Sequence, residues 1–75
     1  MDTGADWEQL VRNLLKNEIR RKNLTYLQLC EKLAAIGVAE KPENVANKIS
    51  RGRFSAVLLI QCLTVLECKN LNLEI

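Results

Sequence analysis

The stretch Pro42-Glu43-Asn44-Val45-Ala46-Asn47-Lys48-Ile49-Ser50-Arg51-Gly52-Arg53 separates into two faces when it is wound at helical spacing. Val45, Ala46 and Ile49 fall on one side. Asn44, Asn47, Lys48 and Arg51, at i, i+3, i+4 and i+7, form a polar stripe on the other. Pro42 suits a first helical turn, Glu43 puts negative charge at the positive end of the helix dipole, and Gly52 supplies a stop. The segment therefore predicts a short helix. Its stripe carries the side chains that a helix entering the DNA major groove offers, because Arg and Lys pair with guanine and Asn with adenine. The solvated face of an ordinary amphipathic helix has the same pattern, so the stripe alone leaves both readings open.

Downstream, Phe54-Ser55 begins another helix, with Ser55 as N-cap and Phe54 placed to pack on Leu59. The helix that follows is apolar on nearly every side, through Val57, Leu58, Leu59, Ile60, Cys62, Leu63, Val65 and Leu66. Only a central position or a partner surface tolerates that. The tail Leu71-Asn72-Leu73-Glu74-Ile75 alternates apolar and polar, as a half-buried strand does, and a lone strand needs a partner.

Upstream, Leu24-Thr25-Tyr26-Leu27-Gln28-Leu29 holds three helix-start signals: Thr25 as cap, Gln28 reaching back to it, and Leu24 stapled onto Leu29. The buried face of this helix is expected to be Leu29, Cys30, Leu33 and Ile36, with Gly37 as the stop. Before it, Trp7, Leu10, Val11, Leu14, Leu15 and Ile19 repeat at helical spacing behind an Asp6 cap, with Glu8, Gln9, Arg12, Asn13, Lys16 and Arg20 on the other side. The expectation is an all-α, compact four-helix domain spanning residues 1–75, with helices over about 6–22, 26–37, 42–51 and 56–68 and a short C-terminal strand over 71–75.

Composition agrees with that class. The chain has 75 residues, enough for one small core, and it is 48% apolar but only 4% aromatic, so the core must be aliphatic. Cys30, Cys62 and Cys68 are odd in number, lack C-x-x-C spacing and sit in apolar periodic stretches, which reads as reduced, buried thiols of a cytoplasmic protein. No apolar run reaches the roughly 20 residues of a membrane span, and Met1 to Asp6 is acidic rather than signal-like. The chain has no His and no glycine-rich phosphate loop, and Glu18, Glu31, Glu40, Glu43 and Glu67 fall in solvated positions beside Lys or Arg. Catalysis, a metal site and a cofactor are therefore not expected.

The net charge of +2 is small but unevenly placed. Arg12, Lys16, Arg20, Arg21 and Lys22 stand against Glu18 alone, and Lys41, Lys48, Arg51 and Arg53 against Glu43 alone. The first block also complements the dipole at the end of its helix, which is a purely structural use.

The order of parts resembles the Cro and repressor type of helix-turn-helix domain. The resemblance is carried by Thr25-x-x-x-Leu29-Cys30-x-x-Leu33, by the short helix ending Ile49-Ser50-Arg51-Gly52, and by the capped apolar helix after it. More closely, the span from Trp7 to Leu73 is similar to a family of short bacterial proteins of unknown function. These share a Trp followed by Leu-Leu-Lys, a Thr-Tyr helix opening, and a run like Asn47 to Ala56 leading to Gln61-Cys62-Leu63. The second helix and its following connection are longer here than in the usual repressor turn, and Tyr26 stands where repressors often place a phosphate-holding Gln.

The resemblance implies a sequence-specific regulator, a repressor binding double-stranded DNA as a homodimer. Asn44, Asn47, Lys48 and Arg51 would read bases, and Tyr26, Gln28, Lys41, Arg53 and Lys22 would hold phosphates. Val65, Leu66, Leu71, Leu73 and Ile75 are the expected dimer surface. Arg51, beside Gly52, has a competing role as a cap of the last carbonyls. The alternative function is a protein-protein interaction module on the same scaffold, docking through the apolar fourth helix and tail.

Overall fold

The computed structural model describes residues 6–71, which form four helices: α1 Trp7–Arg21, α2 Tyr26–Ala35, α3 Pro42–Arg51 and α4 Ala56–Val65. Among the described residues there is no strand. Three of the four starts use a side-chain cap. Asp6 accepts the Gln9 N–H at 3.1 Å, Ser55 accepts that of Leu58 at 3.1 Å, and Thr25 and Gln28 form a reciprocal capping box. At α3 the cap position is Lys41, whose side chain makes no capping bond, and Pro42 opens the first turn.

All four helices end in one way. A residue with positive φ follows the last turn, at Asn23, Gly37, Gly52 and Glu67, and the next residue donates its N–H back five positions. These bonds run from Leu24 to Ile19, Val38 to Leu33, Arg53 to Lys48 and Cys68 to Leu63. That is the Schellman stop, which satisfies carbonyls the helix leaves open. It also explains why α2 and α4 are shorter than expected. Gly37 and Glu67 are the reversing residues rather than helical ones, so the helices close at Ala35 and Val65 instead of about 37 and 68. Ile36, expected inside, caps α2 and is 49% exposed.

The core gathers Leu15 and Ile19 from α1, Leu29, Cys30 and Leu33 from α2, Val45 and Ile49 from α3, and Leu58, Cys62, Leu63 and Leu66 from α4 and its cap. Helix α3 packs on both α1 and α2, and α4 packs on α2. Leu24, Phe54 and Leu59 are partly buried against this core, consistent with their expected staple positions. Within α4 it is Leu58 rather than Leu59 that is buried. Trp7, at the outer end of α1, is 60% exposed instead of joining the apolar face. Glu18 is not solvated but buried, its carboxylate 3.4 Å from Arg21. No described helix is long and apolar enough to cross a membrane.

The expected strand begins at Leu71, which is exposed and in no regular element; residues 72–75, including Leu73 and Ile75, lie outside the described part of the chain.

Candidate nucleic-acid interface

Helix α3 is held by its apolar seam. Val45 and Ile49 are fully buried between α1 and α2, and this turns the opposite face outward. Asn44, Asn47 and Arg51 are exposed on that face, and among the described residues their side chains make no hydrogen bond or ion pair. They form a stripe of two amides and one guanidinium along the ten-residue helix. The fourth expected reader stands apart. Lys48 is half-buried, and its Nζ lies 3.2 and 3.4 Å from the two carboxylate oxygens of Glu40, in the connection before α3.

The end of α3 is capped from outside. Arg12 of α1 donates to the Ser50 carbonyl at 2.9 Å, and the Gly52 and Arg53 N–H groups take the Ile49 and Lys48 carbonyls. Arg12, expected on the solvated side of α1, performs the carbonyl-capping role that had been open for Arg51. Nothing local in the sequence pairs residues 38 positions apart, so this role had no readable signal.

The expected phosphate holders are scattered in kind. Lys41 is exposed and makes no side-chain bond among the described residues. Arg53 is exposed, yet its Nε is paired with the Glu8 carboxylate from the first turn of α1. Gln28 lends its carbonyl oxygen to the Thr25 N–H at 2.8 Å in the capping box. Lys22 is the exposed cap of α1. Tyr26 is half-buried against the core, and that burial pushes its phenol above the usual 10.0. It lines a shallow cavity of about 440 Å³ between the end of α1 and the start of α2, together with Lys16 and Arg20. These two cations, one helical turn apart, are unpaired among the described residues, and the first basic block placed them without distinguishing them.

Of the expected dimer surface, Leu66 is 1% exposed and belongs to this chain's own core, because it closes the buried row Leu58, Cys62, Leu63 and Leu66 of α4. Val65 is partly buried against the same core. The large apolar side chains that α4 exposes are Val57 and Ile60, at 65% and 60%. Among the three thiols expected inside, Cys30 and Cys62 are buried, but Cys68 is partly exposed because it follows the stop of α4, and it donates to the Asn70 carbonyl at 3.4 Å. Burial pushes Cys62 from 9.0 up to about 11 and raises Cys30 as well.

The chain belongs to the family described as a domain of unknown function (DUF6471), which matches residues 7–71. No curated protein and no solved structure matches it.

Proposed function

We propose that this protein, a member of a family whose role is unassigned, is a sequence-specific DNA-binding transcriptional regulator, a Cro/repressor-like helix-turn-helix repressor that acts as a homodimer in the bacterial cytoplasm. One observation carries the reading. The exposed stripe Asn44, Asn47 and Arg51 lies on a helix whose opposite side, Val45 and Ile49, is locked into the core. A reading helix needs both halves of that arrangement: unspent donors and acceptors facing the groove, and a rigid seam that fixes their aim. Exposed Lys41 at the helix entrance adds charge for the phosphate backbone. Dimerisation is supported by α4, whose ten residues carry no charge and expose Val57 and Ile60. Fluorescence titration against DNA from upstream of its own coding region, with a scrambled duplex of equal length, tests the reading. A preference of about 10³-fold or more at physiological salt supports a specific regulator. Equal affinity for the two duplexes overturns it. Sedimentation at micromolar concentration showing only monomer would overturn the homodimer.

The same exposed pair on α4 favours a second reading, a protein-protein interaction module on this scaffold. Replacement of Asn47 and Arg51 by Ala distinguishes the two. The regulator loses its function with the stripe, whereas an interaction module keeps partner binding and loses it only when Val57 and Ile60 become Ser.

A further inference from the structure

Three of the four helix stops close on an apolar pair. The two positions joined by the long backbone bond of the stop are Ile19 with Leu24, Leu33 with Val38, and Leu63 with Cys68. An apolar contact there is the ordinary companion of the motif. At the end of α3 the same two positions are Lys48 and Arg53, joined by a 3.3 Å bond from the Arg53 N–H to the Lys48 carbonyl. The stop itself has no need of two cations. Each is held by a carboxylate from another part of the chain, Lys48 by Glu40 and Arg53 by Glu8.

We infer that Glu8 and Glu40 are specificity-determining residues of the α3 face, which occupy Lys48 and Arg53 as internal competitors for nucleic-acid phosphate. The inference rests on the DNA-binding reading of α3. Carboxylate and phosphate oxygens compete for the same charged donors, and a donor already paired must give up one partner to take the other. Both cations remain reachable, because the Lys48 and Arg53 side chains are 41% and 74% exposed. The Arg53–Glu8 pair is open and weak, while the Lys48–Glu40 pair is part-buried with Glu40 only 19% exposed, so Arg53 is restrained a few-fold and Lys48 at least as much. That is enough to matter where binding has no other source of energy. Indiscriminate binding to a polyanion is a sum of such phosphate contacts, whereas a complex in register also gains base contacts from Asn44, Asn47 and Arg51 and is less affected. The two carboxylates thus lower the background more than the signal.

The test compares the full chain with Glu8→Gln, Glu40→Gln and, as a control for net charge, Glu31→Gln, whose carboxylate on α2 is exposed and unpaired among the described residues. Thermal melts first confirm that each variant folds. Affinity for random-sequence duplex DNA, beside that for the duplex from upstream of the coding region, and the salt at which each protein leaves a heparin matrix are then measured. Glu8→Gln and Glu40→Gln should each bind random duplex about three-fold more tightly than Glu31→Gln and leave heparin at higher salt, as expected of released cations. If both variants match Glu31→Gln in the two assays, the inference is overturned while the DNA reading stands. If no protein prefers any duplex sequence, the DNA reading fails, and the heparin order still decides whether the carboxylates restrain the cations.

Discussion

Gly52 and Glu8 meet through their backbones. A Cβ added to Gly52 would overlap the Glu8 carbonyl group, with the Glu8 Cα only 2.9 Å away. Gly52 also has φ +66, so it is needed twice, for the reversal that ends α3 and for the approach of α1. Arg12 donating to Ser50 and Glu8 paired with Arg53 lie on the same seam.

Gly37 makes the natural control, since it has φ +86 but nothing within 4 Å of an added Cβ. Gly37→Ala should cost only the left-handed strain, about 1 to 2 kcal/mol. Gly52→Ala should cost at least twice as much, because the backbone of α1 must also move. Urea unfolding of both variants measures this. Equal losses would mean that the seam between α1 and α3 is loose.

Leu33 is fully buried in the last turn of α2, three residues before the exposed cap Ile36. Leu33→Ala should cost about 2 to 5 kcal/mol, a large share of the stability of so small a domain. Ile36→Ala should stay within about 1 kcal/mol. The comparison by thermal melting checks the inward face of α2 directly.

On DNA, the exposed stripe and the entrance lysine should behave differently. Asn47→Ala or Arg51→Ala should cost about 1 to 3 kcal/mol on a selected site and flatten the preference at one base pair. Lys41→Ala should weaken binding to all sequences alike and reduce the salt slope by about one unit. With Arg12 on the Ser50 carbonyl, Arg51→Ala should leave the melting temperature nearly unchanged. A clear loss of stability with an unaltered sequence preference would make Arg51 structural.

The buried thiols set an alkaline limit. A Cys62 thiol raised from 9.0 to about 11 stays protonated in the folded chain while the unfolded chain ionises. The folded state therefore binds more protons between those values, so the contribution of this thiol is constant below about pH 9 and stability should fall as pH rises from about 9 to 11. The raised phenol of Tyr26 adds to the fall from pH 10 upward. Denaturant titrations across this range, repeated with Cys62→Ala, check the slope, which the variant should reduce. At neutral pH a maleimide should label Cys68 well before Cys30 or Cys62.

The helices were legible because their rules are local. Asp6, Thr25 and Ser55 cap as their types suggest, and the spacing of Leu29 with Leu33 and of Val45 with Ile49 gives the inward faces directly. The ends of α2 and α4 were overrun because a left-handed residue after the last turn has a strong sequence sign only when it is glycine followed by a clear break. Glu67 carries no such sign. The stripe Asn44, Asn47 and Arg51 was readable from period alone. The restraint of Lys48 and Arg53 was not, since Glu40 and Glu8 reach them across 8 and 45 positions that only the packed chain brings together. Leu66 shows the reverse limit: an apolar helix cannot say which of its sides its own domain will use.

The helix stops also decide where this chain has slack. Between α1 and α2, Leu24 both closes one helix and precedes the cap of the next, and between α3 and α4 Arg53 and Phe54 stand in the same two offices. Neither junction has a residue to spare. Between α2 and α3, Ala39 and Glu40 lie outside both the stop at Gly37 and Val38 and the entrance at Lys41. An inserted or deleted residue would therefore be absorbed at this junction more readily than at the other two. Because α3 packs on both α1 and α2 and runs into α4 without slack, a change of length there would be felt as a shift of α3 against both partners. The freedom of this junction is thus also the lever on the aim of the exposed stripe.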